Sequence, residues 1–125
     1  MSMNKVYFLM AIHFHQPIGN FNFVFEKVFH NSYQPFIETI KEFPQIKLTL
    51  HFTGCLLEWL AASQPQYLDQ IRALVKRGQI EIMTGGFYEP ILPVIPYNDR
   101  LGQIAMLSDY VKRNFHYEPC GALIA

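Results

Sequence analysis

Three short runs of strand-forming residues, VYFLMAIHF at 6–14, IKLTLHF at 46–52 and QIEIMT at 79–84, are separated by stretches whose apolar residues recur at helical spacing. Parallel neighbours cannot be joined by a tight turn, so strands alternating with helices argue for a parallel sheet with crossover connections. The first strand is predicted over Val6 to Phe14, followed by a long aromatic-lined loop from His15 to Asn31. Ser32 then caps a helix that Pro44 ends. After the second strand, Thr53-Gly54 turns into a helix carrying Leu56, Leu57, Trp59 and Leu60. Ser63 caps the next helix, whose stripe is Leu68, Ile71, Leu74 and Val75 and whose stop is Gly78. Behind the third strand, Gly85-Gly86 opens a proline-rich loop. Asn98 or Asp99 caps a last helix to Phe115, with Leu101, Ile104, Met106, Leu107, Tyr110 and Val111 as candidate core positions. CGALIA at 120–125 reads as a fourth strand only begun. The fold class is α/β, and residues 1–125 are expected to form a single partial domain. A last parallel strand without its covering helix points to a part rather than a whole.

Length and composition narrow the function. A chain of 125 residues can bury one core but is about half of the roughly 250 residues usual for a barrel enzyme. Half of the residues are hydrophobic and 16% are charged, too apolar for disorder. Ten basic and ten acidic residues cancel, and no basic stripe appears, so neither nucleic acid nor an anionic membrane is an expected partner. No run approaches the roughly 20 apolar residues needed to span a bilayer. The leading apolar run ends in histidines rather than a small-residue cleavage site, so it reads as a strand and not as a signal peptide. Cys55 and Cys120 lie too far apart for a CxxC motif and read as free thiols of a cytoplasmic protein. Eleven Phe and seven Tyr serve either core packing or stacking on sugar rings, and composition does not choose.

Parallel sheets bind ligands at the C-terminal ends of their strands. The first strand ends in His13 and His15, followed by Gln16-Pro17. The second ends with His51 and Thr53; the third holds Glu81 and ends at Gly85-Gly86, before Phe87-Tyr88-Glu89. Residues i and i+2 of a strand share a face, so both histidines can look into one cavity. Sugar hydroxyls are the favoured partners for this pair. A zinc ion also held by His51 and Glu81 is a second reading, and a structural role is a third. Glu81 sits between two isoleucines and points to the face they do not: covered in an open sheet, lumenal in a barrel. Glu89, beside Pro90, reads as solvated or structural, and Trp59 as core.

HFHQPIGNF at 13–21, HFTGCLLEWL at 51–60 and GQIEIMTGGFYEP at 78–90 resemble the N-terminal part of glycoside hydrolase family 57, most of all its 4-α-glucanotransferases and α-amylases. The resemblance covers nearly the whole chain and matches two of the family's sequence boxes in order. It implies the N-terminal portion of an incomplete (β/α)7 barrel of the glycoside hydrolase/deacetylase type. It implies a retaining enzyme acting on α-glucans or maltooligosaccharides, without cofactor or catalytic metal. His13, His15, Gln16 and Glu81 are then substrate-binding residues, and Phe21, Phe87 and Tyr88 offer stacking surfaces. GALIA at 121–125 is similar to the approach to the third box, with Leu123 where a Trp is common. The resemblance puts the nucleophile Glu and the acid/base Asp beyond residue 125. No catalytic residue is therefore expected in this chain, and the isolated chain is expected to be inactive. Half a barrel leaves sheet edges open, so a homo-oligomer is expected. Two rival readings are a non-catalytic sugar-binding or assembly module, and a zinc-dependent amidohydrolase or deacetylase built on His13-x-His15.

Overall fold

The computed structural model describes residues 4–124. Its core element is a four-stranded, all-parallel sheet in the order β1-β2-β3-β4, formed by Ala11–Phe14, Leu48–Phe52, Ile80–Gly85 and Ala122–Leu123. Five α-helices cover one face: α1 (Asn22–Val28), α2 (Gln34–Lys41), α3 (Gly54–Ser63), α4 (Pro65–Lys76) and α5 (Tyr97–Phe115). The sheet curls, and with its helices outside it makes a half-barrel of α/β class. No helix among the described residues is long and apolar enough to cross a membrane.

Alternation along the strands sorts the residues. Ile12, Leu50 and Ile82 lie in one register row, and Phe14, Phe52 and Thr84 in the next, all facing the helices. Leu50, Phe52 and Ile82 are fully buried there against Ile37, Leu56, Leu60, Ile71, Leu107 and Val111. The opposite, concave face carries Ala11, Thr49 and Glu81 in one row and His13, His51 and Met83 in the next.

Several boundaries differ from the sequence reading. The first strand is paired only over Ala11–Phe14, and Val6, Tyr7, Phe8 and Leu9 are 81–92% exposed. β1 is an edge strand, and β2 reaches back only to Leu48, so the earlier residues have no ladder to join. The expected loop from His15 to Asn31 is mostly helix: only a Pro17–Asn20 turn precedes α1, and Phe25 and Phe29 bury its inner face. Asn20 Oδ1 accepts from the Phe21 N–H at 2.9 Å just before the helix. α1 runs through a π-helical turn, Phe29–Tyr33, into α2 without the predicted break at Ser32. Pro35 explains the wide turn: it lacks the N–H that would bond four residues back, and its ring crowds that carbonyl. Pro96, not Asn98 or Asp99, precedes α5. Leu107 and Val111 are buried as expected, but Leu101 and Met106 are exposed; the helix turns Leu107, Val111 and Phe115 inward instead.

Candidate functional site

The C-terminal rim of the sheet brings together side chains from two strands and one loop. β1 presents His13, His15 follows directly after its last residue, Phe14, and β2 places His51 beside His13 in register. The turn after β3 supplies Glu89, whose carboxylate reaches both His13 and His15. His13 Nε2 lies 2.8 Å from Glu89 Oε1, and His15 Nδ1 bonds Glu89 Oε2. His13 Nδ1 lies 2.8 Å from His51 Nδ1. The three imidazoles form a packed group, with ring centroids 5.6 Å apart for His13–His15 and 4.9 Å for His13–His51.

Backbone geometry makes this possible at three glycines. A side chain at Gly85 would come within 2.6 Å of the Leu123 carbonyl oxygen and 2.9 Å of His51 Nε2. One at Gly86 would meet Pro90 Cδ at 2.6 Å, so the chain could not fold back tightly enough to return Glu89. Glu89 itself sits at φ +56° with its N–H bonded to Gly86 O at 3.1 Å. At Gly54 a side chain would strike the buried Phe87 ring at 2.4 Å, and the Gly54 N–H donates to Phe87 O at 2.7 Å. That contact pins the Phe87-Tyr88-Glu89 turn to the start of α3.

Electrostatics disfavour charge on His13 and His51. Burial pushes the His51 imidazole down to about 4, helped by His13 and His15. Burial also lowers His13; Glu89 opposes the shift and His15 adds to it. The His13–Glu89 contact is therefore a hydrogen bond from a neutral imidazole rather than an ion pair.

The predicted site residues separate into groups. His13 and His15 are at the rim as expected, and Glu81 lies on the same concave face. Glu81 is one row below His13, roughly 7 Å further down the sheet, and takes no part in the histidine cluster. It borders an open cavity of about 360 Å³ with Thr49, Met83 and Tyr117. Gln16 is buried, and each end of its amide has a partner within the protein. Its Nε2 donates to Tyr33 Oη at 3.2 Å, and its Oε1 accepts from Asn20 Nδ2 at 2.9 Å. Its carbonyl accepts from Thr53 Oγ1 and Cys55 Sγ, and Tyr33 Oη donates to the His15 carbonyl at 2.9 Å. Gln16 thus ties the turn after β1 to the start of α3 and to the π-helical turn, holding His15 in place. Phe87 is buried over Gly54 and offers no stacking face. Tyr88 is exposed, and so is Phe21, which stacks on Phe23 at 5.7 Å. Trp59 packs against Phe25, its Nε1–H donating to Asn22 Oδ1 at 2.7 Å, a core role as read. Glu89 is the residue that sequence reasoning missed. The signal was present in the Gly85-Gly86 pair and Pro90 around it, a turn built to fold back on the rim.

Two imidazole nitrogens and a carboxylate oxygen form the donor set of a zinc-type site, and His13, His15 and Glu89 hold theirs within 4.8 Å of one another. The zinc reading from sequence named His51 and Glu81 instead, but His51 turns its Nδ1 to His13 and Glu81 lies a row away. A metal at the trio would have to displace two hydrogen bonds that already satisfy all three donors.

Residues 3–124 match the sequence model of Glycosyl hydrolase family 57. The chain is 52% identical over 111 residues to a 4-alpha-glucanotransferase from Thermococcus litoralis, covering 89% of this chain and 17% of that protein. It is 48% identical over 109 residues to an alpha-amylase from Pyrococcus furiosus, covering 87% of this chain and 17% of that one. The chain thus spans about a sixth of the length of these relatives. The crystal structure of the T. litoralis enzyme superposes with a TM-score of 0.88 over 91% of this chain and 18% of the other. A GH57 branching enzyme from Thermococcus kodakaraensis shares the fold with a TM-score of 0.72 at 15% identity, over 91% of this chain and 32% of the other.

Proposed function

This chain belongs to glycosyl hydrolase family 57, and from that premise we propose that it forms the first wall of an α-glucan cleft, in an enzyme that hydrolyses or transfers α-glucans. The observation that carries this reading is the 52% identity to a 4-alpha-glucanotransferase over nearly the whole chain. On this reading the half-barrel is the opening portion of an incomplete (β/α)7 barrel, and residues 1–125 are one partial domain of it. The concave face carries the sugar, with His15 and Glu81 contacting hydroxyls and Tyr88 or Phe21 stacking on a ring. The two free thiols, Cys55 and Cys120, suit a cytoplasmic setting.

Retaining glycosidases need two carboxyl groups roughly 5 Å apart across the scissile bond. Glu89 has both oxygens engaged by histidines, and Glu81 stands a row lower on the sheet. Neither is placed as a partner for the other. The family resemblance puts the nucleophile and acid/base outside this stretch, so the 125-residue chain binds maltooligosaccharide without turning it over. Calorimetric titration with maltoheptaose, followed by sensitive product analysis, tests both halves. Saturable binding without products is the expected result. Absent binding removes the cleft assignment, and turnover by pure chain removes the inactive one.

A further inference from the structure

We propose that Glu89 is the positioning residue of this site: its carboxylate fixes the protons of three imidazoles, so that His15 Nε2 is the lone pair offered to a ligand hydroxyl. The four side chains form one connected chain of hydrogen bonds, in which each proton fixes the next. An ionised carboxylate can only accept, so His13 Nε2 and His15 Nδ1 must both carry protons toward it. A neutral His13 protonated on Nε2 has a bare Nδ1. The 2.8 Å contact between His13 Nδ1 and His51 Nδ1 then requires the proton on His51. His51 Nε2 is left as a bare lone pair, and among the described residues it has no partner; it lies buried against Gly85. The opposite assignment would bury an N–H there with no acceptor, the rarer defect in folded proteins.

The consequence is a division of labour. Both nitrogens of His13 are used, one by Glu89 and one by His51. His51 is shut in. His15 alone keeps a free nitrogen, Nε2, on a ring whose side chain is 42% exposed at the rim. A bare imidazole nitrogen accepts, so it suits a ligand that donates, as a sugar hydroxyl does. The backbone holds Glu89 to this task. Its left-handed φ of +56° is uncommon for a residue with a side chain. The turn supports that conformation with the Glu89 N–H bond to Gly86 O and the close approach of Pro90 to Gly86. The ligand's identity rests on the glucan reading; the positioning role does not.

Long-range proton–nitrogen NMR of the histidine rings in the 125-residue chain tests the assignment. At pH 7.5 the expected pattern is a proton on His13 Nε2, His15 Nδ1 and His51 Nδ1. Glu89→Gln replaces a double acceptor with one acceptor and one donor, so it should move the proton to the other nitrogen in either His13 or His15. If the ring is His13, His51 switches with it. Glu89→Asp keeps the acceptor and should retain the original pattern. A wild-type His15 protonated on Nε2, or unchanged rings in Glu89→Gln, overturns the proposal. Should Glu89→Gln not fold, the wild-type pattern decides alone. Maltoheptaose added to the wild-type chain should shift His15 Nε2 and leave the nitrogens of His13 and His51 in place. If His13 nitrogens respond in place of His15, the proposal falls. If the three tautomers hold and no ring responds, the positioning role stands and the glucan reading falls.

Discussion

At the scale of single residues, burial of a histidine has a measurable consequence for stability. The folded His51 titrates at about 4, whereas in an unfolded chain a histidine titrates near 6.5. Between those values the unfolded chain binds more protons, so stability falls as pH drops from about 6.5 toward 4; above that window it is fully present. The gap corresponds to roughly 3 kcal/mol at most. His13, also lowered by burial, adds in the same direction. The urea midpoint should therefore fall between pH 7 and pH 5, and His51→Gln should remove most of that fall. An equal fall in the variant would show that other groups are responsible. How visible such roles are in sequence varies by residue. The His-x-His pair announces a shared face through strand alternation alone. Gln16 beside it does not reveal that Tyr33 and Asn20 bond both ends of its amide, because those partners arrive through the Pro17–Asn20 turn and the π-helical turn. Glu89 is hidden for a similar reason: its role depends on a left-handed backbone that no periodicity describes.

At the scale of elements, glycines and one glutamine decide how pieces meet. Gly54 lets Phe87 sit on the start of α3, and an added methyl would lie 2.4 Å from a ring that is buried and cannot swing away. Gly54→Ala should cost about 2 kcal/mol, in the range for overpacking a filled site. Gly102, within α5, has nothing within 4 Å of an added methyl. Gly102→Ala should gain about 0.5–1 kcal/mol from helix propensity. Thermal melts of the two variants should move in opposite directions, and a common direction would refute the packing argument. Gln79 is a different kind of joint. It is buried at the start of β3, and its Nε2 points to the carbonyls of Ile40, Phe43 and Ile46 at 2.9–3.0 Å, tying the end of α2 to the sheet. Gln79→Leu would remove all three bonds; the Ile40 and Phe43 carbonyls keep backbone N–H partners while the Ile46 carbonyl loses its donor, a loss of about 1 kcal/mol readable in a denaturant melt. A melt unchanged from wild type would mean that water replaces the amide. The strand and helix order was legible because each element declares its own period. The start of α1 was not, because its Asn-rich, Phe-rich opening carries loop composition while Phe25 and Phe29 set a helical stripe. The edges of β1 and α5 were set by which neighbour was present, and one chain's local pattern does not contain that.

At the scale of the molecule, helices cover one face of the sheet while the other is concave and open. Val6, Tyr7, Phe8 and Leu9 stand exposed ahead of β1, beside an edge strand with unpaired backbone groups. A contiguous apolar segment next to an open edge is a template for pairing with another chain. The isolated chain should therefore self-associate, with light scattering giving a mass above the 14.6 kDa of one copy. Phe8→Lys combined with Leu9→Glu should return it to monomer with its circular dichroism unchanged. A wild-type monomer at every concentration would remove the edge argument. This surface and the candidate site lie at opposite ends of the same strand: Val6–Leu9 precede β1, whereas His13 and His15 stand at its C-terminal end. Self-association through the first should leave the second open. The double variant should therefore show the same His15 response to maltoheptaose as wild type. A lost response would mean that pairing at the strand's start supports the rim, making the site a property of the assembled sheet and not of one chain.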